Sequence, residues 1–176
     1  MNKISLAAAV ALAAATMAPA AQAADGTIEF NGSVVAVTCV INGGNGDLTV
    51  LLPRVSTDAL SAVGAEAGRT PFVIELTGCD AGTNKVSTFF EGDNHIDPVS
   101  GYLNIDVGGA GNVQISLLND RHDEIKVGAA DGQQNSPKVD VSNGAATLNY
   151  YAQYKSQGGA TAGDVRSRVR YTIAYE

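Results

Sequence analysis

The stretch Thr70-Pro71-Phe72-Val73-Ile74-Glu75-Leu76-Thr77-Gly78-Cys79 alternates apolar side chains with mostly polar ones and ends at a cysteine. Successive side chains of a strand point to opposite faces of a sheet, so Phe72, Ile74 and Leu76 share one face. Because that face is apolar throughout, the stretch predicts a strand with one side in a hydrophobic core.

The same period-two pattern recurs along the chain in short runs separated by Gly, Asn and Asp. In residues 112–118 it places the odd-numbered apolar residues inward and Gln114, Ser116 and Leu118 outward. Many short strands with turn residues between them are typical of a sandwich or a barrel. The predicted strands are Thr27–Ile41, Leu48–Leu52, Thr70–Thr77, Lys85–Glu91, Tyr102–Val107, Asn112–Leu118, Thr147–Tyr154 and Arg166–Tyr175.

Little of the sequence is typical of helix. Ser56 or Thr57 is placed to cap one short helical turn through Leu60, because a hydroxyl can accept from the free amides there. Residues 128–143 are polar and rich in turn residues, and we predict a loop.

The N-terminus has the three parts of an export signal. Lys3 is the positive start, Ile4 to Thr16 is a short apolar run, and Ala21-Gln22-Ala23 is a small-x-small cleavage site. A membrane anchor would need a longer and more apolar run to span roughly 30 Å of hydrocarbon. We therefore expect residues 1–23 to be a signal peptide and residues 24–176 to form a single exported domain, since 153 residues suit one core.

Cys39 and Cys79 are the only cysteines. An exported compartment is oxidising, so we expect the two thiols to pair; a metal site would need further ligands nearby. For the 40-residue separation, the chain-entropy model gives the bond on the order of 4 kcal/mol. A cystine joining two strands favours an immunoglobulin-like sandwich over a barrel.

Charge and side-chain chemistry exclude several functions. Residues 24–176 carry 10 basic and 18 acidic side chains, a balance that argues against a nucleic-acid partner. His95 and His122 lie beside acids in turn-like stretches, and Asp123 and Glu124 are adjacent, so on a strand they would point apart. We therefore predict no catalytic site, no metal, no cofactor and no enzymatic activity.

Both ends of the mature segment alternate strictly. On periodicity alone, two ordinary edge strands of the chain's own sandwich are the favoured interpretation. The N-terminal residues that share one face are Gly26, Ile28, Phe30, Gly32 and Val34. The C-terminal residues that share one face are Val169, Tyr171, Ile173 and Tyr175.

Taken with the cysteine spacing, these ends resemble the chaperone–usher pilins of type 1 fimbriae. The resemblance covers nearly the whole mature segment, and the order and spacing of the motifs carry it. The motifs are the Gly-Thr-Ile-x-Phe-x-Gly-x-Val-Val start at Gly26, Leu52-Pro53, Thr70-Pro71-Phe72, Gly111-Asn112-Val113-Gln114-Ile115, Tyr150-Tyr151-Ala152-Gln153-Tyr154, Gly163 as the fourteenth residue from the end, and the penultimate Tyr175.

This resemblance implies an all-β fold, an incomplete immunoglobulin-like β-sandwich completed by a donor strand from a neighbouring subunit. The donor strand would be residues 25–35, and the acceptor would be a groove along the C-terminal strand, with Gly163 at its start. A periplasmic chaperone would first fill the groove and hold the C-terminal carboxylate. At an outer-membrane usher, the next subunit's donor strand would replace it and extend a head-to-tail polymer of identical or related pilins.

The family implies a structural subunit of a surface fimbria that supports cell adhesion. A major rod subunit is our first expectation, and a minor or adaptor pilin is the alternative. A second alternative is a stand-alone secreted carbohydrate-binding adhesin, for which an exposed aromatic cluster is expected. A small secreted hydrolase is the least supported. Five tyrosines fall instead in strands that we assign to core and groove, namely Tyr150, Tyr151, Tyr154, Tyr171 and Tyr175.

Overall fold

The computed structural model describes Glu29 and residues 39–176. The predicted signal peptide and the predicted donor-strand residues Gly26, Ile28, Phe30, Gly32 and Val34 lie outside the described residues. Within the described part, no helix has the length and apolar character needed to cross a membrane.

The described chain is built from two antiparallel sheets, which confirms the predicted all-β class. The larger sheet has the order β1-β2-β7-β5-β4 and the smaller has the order β6-β3-β8. The strands are β1 (Val40–Ile41), β2 (Val63–Thr77), β3 (Lys85–Phe90), β4 (Leu103–Asn104), β5 (Val113–Leu118), β6 (Val139–Asp140), β7 (Ala146–Gln157) and β8 (Tyr171–Tyr175).

The predicted helical turn is confirmed. A 3-10 turn, Thr57–Leu60, starts after Ser56, whose hydroxyl accepts a hydrogen bond from the Asp58 amide at 3.2 Å, and a second 3-10 turn spans Asn42–Gly44. Leu60 ends the turn as a buried side chain. The predicted loop at residues 128–143 needs one correction, because β6 lies inside it and pairs with β3. Two residues are too few for the alternation pattern to detect.

β2 and β7 form the long central pair of the larger sheet. β2 begins seven residues before the predicted start, and its register against β7 shifts twice, between Val63 and Glu66 and between Ala67 and Thr70. Each shift contains a glycine with positive φ, Gly64 at 77° and Gly68 at 67°. Such bulges reset the alternation of side chains. The period-two pattern therefore does not predict the first half of β2.

The core lies between the two sheets. Ile74 of β2 and Leu148 of β7 are almost wholly buried, as the alternation predicts. Tyr150 is buried between Phe72, at 5.6 Å between ring centroids, and Phe90, at 5.3 Å. These edge-to-face and offset contacts are the favourable arrangements of aromatic pairs. The aromatic cluster joins the larger sheet to β3 of the smaller one.

The predicted wet face of β5 is wrong. All six residues of β5 are buried, including Gln114, Ser116 and Leu118. The side-chain amide of Gln114 donates to Asn104 at 2.8 Å, and its cross-strand neighbour is Lys155. Gln114 is therefore buried as a paired polar side chain, whereas the buried Ser116 hydroxyl has no hydrogen-bond partner among the described residues.

The predicted cystine is confirmed. Cys39 and Cys79 are bonded and both are buried. Cys39 precedes β1 and Cys79 follows β2, and these two strands are neighbours in the same sheet, with Val40 opposite Thr77. The bond therefore fastens the edge strand of the larger sheet to its central pair.

Candidate interaction groove

An open cavity of about 800 Å³ separates residues 46–52 from the C-terminal strand. All four residues predicted for the inward face of that strand line it, Val169, Tyr171, Ile173 and Tyr175. We call this cavity the groove. Its floor consists of core side chains from both sheets, so in the described part of the chain the groove runs along the core of the sandwich. Floor residues include Phe72, Ile74, Phe90, Leu103, Ile115 and Leu117.

One rim of the groove is the segment 46–52. The sequence predicted a strand at Leu48–Leu52, and this is wrong, since the structure assigns no strand there. Among the described residues, the main chain of this segment has no main-chain hydrogen-bond partner. A strand exists only through its partner, and the position beside this rim is the groove itself. Leu51 is 83% exposed and Leu48 is 41% exposed.

The other rim is the C-terminal strand, which is shorter in the structure than the predicted Arg166–Tyr175. Only β8 pairs with β3, and this pairing ends where the Glu91 amide donates to Arg170 at 2.9 Å. Upstream, the chain changes partners, because the Asp106 amide donates to Arg166 at 2.8 Å. The strand thus passes from the smaller sheet to the β4 side of the larger one. In the described chain, β8 is an edge strand with β3 on one side and the groove on the other.

The end of β8 is held firmly in place. The Glu176 carbonyl accepts from the amides of Asn84 and Lys85 at 2.8 and 3.0 Å. Two groove tyrosines also bind the opposite side of the groove. The Tyr175 hydroxyl accepts from the Cys39 amide at 3.4 Å, and the Tyr171 hydroxyl donates to the Gly46 carbonyl at 2.5 Å. Burial, with a contribution from the nearby Asp47 carboxylate, raises the pKa of Tyr171.

Charged side chains follow the solvent-facing side of the same strand. Arg170 pairs with Glu91 of the β3 end at 3.1 Å, and Arg168 lies 3.6 Å from Asp106. The guanidinium of Arg168 also contacts the His95 ring at 2.5 Å. His95 therefore contacts the segment that leads into β8.

Gly163 lies in a second cavity, of about 450 Å³, at the start of the C-terminal strand. A Cβ added there would lie 2.6 Å from the Ala110 nitrogen, so only glycine permits this approach of two backbones. Leu60, Val113 and Tyr154 form the apolar wall of this cavity. Sequence reasoning missed the cavity, because its residues come from four separate segments.

The remaining chemical candidates are dispersed. His122 is exposed and contacts the Tyr151 ring edge-to-face, with 4.6 Å between ring centroids, so Tyr151 lies outside the core and the groove, contrary to the prediction. Asp123 points to Arg121 at 3.5 Å, whereas Glu124 points to Lys155 at 3.0 Å. Within the described residues, no group of three His, Cys, Asp or Glu side chains is placed to hold a metal ion.

Comparison with known proteins identifies the family. The sequence model of the FimA type-1 fimbrial protein family matches residues 52–176. The chain belongs to this family. It is 47% identical over 171 residues to the major fimbrial subunit SMF-1 of Stenotrophomonas maltophilia, covering 93% of this chain and 99% of that one. It is 44% identical over 169 residues to the F17 fimbrial protein of Escherichia coli, covering 93% and 94%. The chain is thus a structural subunit of a surface fimbria.

Solved structures support the fold of this fimbrial subunit. The rod subunit PapA of the P pilus has a TM-score of 0.63 at 20% identity, with 78% of this chain and 99% of that chain covered. A type I fimbria protein and antigen of Burkholderia pseudomallei has a TM-score of 0.55 at 28% identity, covering 85% and 97%. The predicted immunoglobulin-like pilin fold is confirmed by this likeness.

Proposed function

We propose that the groove is the acceptor site for residues 25–35 of another copy of this fimbrial subunit, and that this head-to-tail contact builds the fimbria. The observation that carries the proposal is the groove itself, a largely apolar cavity between two rims that share no main-chain hydrogen bond across it among the described residues. An extended segment placed there would pair with the C-terminal strand and cover the core at once. A head-to-tail contact of this kind extends without closing, which gives a filament.

The physical need for an occupant is strong. A soluble domain rarely leaves an apolar side chain such as Leu48, which lines the groove and is 41% exposed, in contact with solvent, and unpaired strand edges associate readily. Strand addition meets both needs, because main-chain hydrogen bonds give affinity and alternate side chains entering the groove give specificity.

The N-terminal segment has the pattern that such an occupant requires. Ile28 and Phe30 alternate with polar residues, and each contributes about 1.5–3 kcal/mol when fully buried. Gly32 shares their face, and a glycine in a strand suits a place where another backbone comes close. We propose that Gly26 and Val34 complete this inward face.

Before assembly, the groove needs a temporary occupant. We propose that a periplasmic chaperone supplies a strand along Val169, Tyr171, Ile173 and Tyr175 and holds the C-terminal carboxylate. The usher then admits the donor segment of the next subunit. A pilus assembled by chaperone and usher is among the structural matches, with a TM-score of 0.64 at 21% identity, and it supports the fold on which this route depends.

Among subunit types, we propose the major subunit, with a minor or adaptor pilin as the second candidate. The 47% identical relative is a major fimbrial subunit, and both chains are covered almost completely. We also propose that residues 1–23 are removed on export. Mass spectrometry of the purified subunit should then find Ala24 at its N-terminus.

The donor role is tested by deleting residues 25–32. If the segment were an edge strand of its own sandwich, the deletion would expose core and lower the melting temperature of the chaperone-bound subunit. As a donor strand it is dispensable for folding, so the shortened subunit should bind chaperone and melt normally but fail as a donor. Heat-stable ladders on a denaturing gel report polymer, and ladders equal to wild type would overturn the donor assignment.

Two substitutions on opposite faces of the donor segment test which face points inward. Gly32→Leu adds a side chain on the inward face, where overpacking costs about 1–3 kcal/mol, and should shorten the ladders. Ser33→Leu adds a side chain of the same size on the outward face and should leave them unchanged. Equal ladders from the two variants would contradict the proposed inward face.

A further inference from the structure

We propose that Arg170, on the solvent-facing side of the C-terminal strand, pairs with Glu29 of the incoming donor segment and so helps to fix its register. The proposal depends on the donor role proposed above for residues 25–35. It adds a charge-based specificity residue to the apolar contacts of the groove.

The C-terminal strand carries a basic stripe next to the groove. The exposed Arg166, Arg168 and Arg170 alternate with the half-buried Ser167 and Val169, so the three arginines share the more exposed side. Arg168 and Arg170 also line the rim of the groove. The side chains of the three arginines are 79%, 64% and 71% exposed. Three of the 10 basic residues in the mature segment thus lie within residues 166–170, directly before β8, in a chain with an acidic excess.

The donor segment has the opposite charge. From Ala24 to Pro53 the sequence contains no lysine or arginine, and within residues 25–35 the charged residues are Asp25 and Glu29. Both alternate with the apolar residues Ile28 and Phe30. When those enter the groove, the two carboxylates lie on the solvent-facing side, the side that carries the arginines.

When the apolar side chains of the donor segment face those of the groove, Glu29 lies close to Arg170. If Ile28 and Phe30 lie against Val169 and Tyr171, Glu29 is directly opposite Arg170. If they lie one step along, against Tyr171 and Ile173, Glu29 is opposite Thr172 and diagonal to Arg170. The result holds whether the strands run parallel or antiparallel. Direct and diagonal neighbours on one face of a pair are close enough for long side chains to interact.

Arg170 is prepared to bind a second carboxylate. Glu91 holds its guanidinium at 3.1 Å and also accepts from the Thr172 hydroxyl at 2.9 Å. A guanidinium has five N–H donors, so one carboxylate does not saturate it, and a side chain that is already held loses less rotamer entropy. Asp47 on the opposite rim repels the donor carboxylates and favours the arginine side.

This charge pair would disfavour one wrong register of the donor segment. Apolar side chains alternate along both the donor and the groove, so a slip of two residues preserves many apolar contacts. A slip that moves Glu29 beyond Thr172, toward Ala174, takes it away from Arg170. The ion pair therefore favours the two registers in which Glu29 lies opposite or diagonal to Arg170 over the register in which Glu29 lies opposite Ala174.

The test measures binding of synthetic peptides of residues 25–35 to the mature chain by fluorescence anisotropy. The peptides are wild type, Glu29→Gln and Glu29→Lys, and the chains are wild type, Arg170→Gln and Arg170→Glu. Arg121→Gln is the matched control, because Arg121 is also exposed and pairs with a nearby acid, Asp123 at 3.5 Å. Changes made in the peptide cannot disturb folding of the chain.

We expect neutralisation at either Glu29 or Arg170 to weaken binding by about two- to fivefold, as for cross-strand ion pairs. The Glu29→Lys peptide should bind the Arg170→Glu chain better than it binds wild type, and Arg121→Gln should change nothing. These differences should shrink near 1 M salt, where charges are screened within about 3 Å. Equal affinities for all peptides would overturn the Arg170 proposal but leave the donor role intact. No binding by any peptide would overturn both.

Discussion

Position 163 requires glycine because two backbone segments approach each other closely there. Its α-carbon faces the Ala110 nitrogen so closely that an added Cβ would lie 2.6 Å away. Ala110 in turn donates its amide to the Asp164 carbonyl at 2.9 Å, which attaches the start of the C-terminal strand to the larger sheet. One missing side chain thus allows the strand to begin where it does.

We expect Gly163→Ala to lower the free energy of unfolding by about 1–3 kcal/mol, because the methyl group must push two backbones apart. Gly82→Ala is the control, since nothing lies within 4 Å of a Cβ added there. The control should change stability by less than about 0.5 kcal/mol. Urea denaturation of both variants measures the difference, and equal midpoints would contradict the close-approach argument.

The cystine acts at the same scale. We expect either Cys39→Ser or Cys79→Ser to lower stability on the order of 4 kcal/mol, because the bond closes a loop of 40 residues. The yield of folded subunit should fall sharply. Thiol labelling of the denatured, unreduced wild-type chain should detect no reactive cysteine, and two labelled thiols per chain would refute the bond in the exported protein.

Between the strands of the larger sheet, Lys155 of β7 forms a polar connection. It lies 2.7 Å from Glu66 of β2 and 3.0 Å from Glu124, beside β5. Partial burial works to lower the pKa of Lys155, but its hydrogen bonds to Glu66 and Glu124 outweigh this and raise the pKa. The hydrogen bond from Lys155 also lowers the pKa of Glu66 below its usual 4.5. Three segments are joined by one ammonium group.

The lowered pKa of Glu66 determines how stability changes with pH. A lowered pKa means that the folded state favours the ionised form, so the stabilisation is present above about pH 5 and is lost as the pH falls through the folded pKa. We expect Lys155→Met to be about 1 kcal/mol less stable than wild type at pH 7, a small value because Glu66 is more than one-third exposed and screened. The difference in stability between wild type and Lys155→Met should become small near pH 3.

Thermal melts of wild type and Lys155→Met across that range make the measurement. Lys85→Met is the control, because Lys85 forms an exposed pair with Asp140 at the edge of the smaller sheet. It should change stability much less. A gap between wild type and Lys155→Met that persists unchanged at pH 3 would show that lost packing, rather than lost charge, causes the effect.

The C-terminal strand is both a wall of the groove and a member of the smaller sheet. Deleting Ala174 to Glu176 would remove the hydrogen bonds of Glu176 with Asn84 and Lys85, together with the groove side chain of Tyr175. We expect the shortened subunit to be absent from the periplasm on immunoblots. Glu176→Gln keeps the backbone contacts and should accumulate normally. Normal amounts of the deletion variant would contradict the proposed docking role.

Across residues 39–176, the sandwich carries an open groove lined by side chains from both sheets. An occupant that binds only the folded state stabilises it by mass action. We expect a peptide of residues 25–35 to raise the melting temperature of the subunit that lacks residues 25–32, increasingly with concentration. A Phe30→Ala peptide should have a smaller effect, because it buries less apolar surface. A melt that neither peptide changes would contradict the donor-strand assignment.

Much of the architecture could be predicted from the sequence. The alternation in residues 70–77 placed Ile74 and Leu76 in the core, and two cysteines in an exported chain predicted their own pairing. Such features are local or follow from a simple count, so no knowledge of neighbours is needed. Strand limits were less predictable, because the bulges at Gly64 and Gly68 interrupt the period while the hydrogen-bonded ladder continues past them.

Alternation, the cysteine count and the cap at Ser56 were enough to predict the sheet class, the cystine, the helical turn and which residues of the C-terminal strand face inward. The packing of distant segments was needed to show that those residues line an open groove, that Leu48–Leu52 has no partner strand among the described residues, and that β5 is buried on both faces. The reason is physical. Alternation reports which side of a strand is apolar, but exposure depends on what other segments cover that side, and those contacts join residues far apart in the chain.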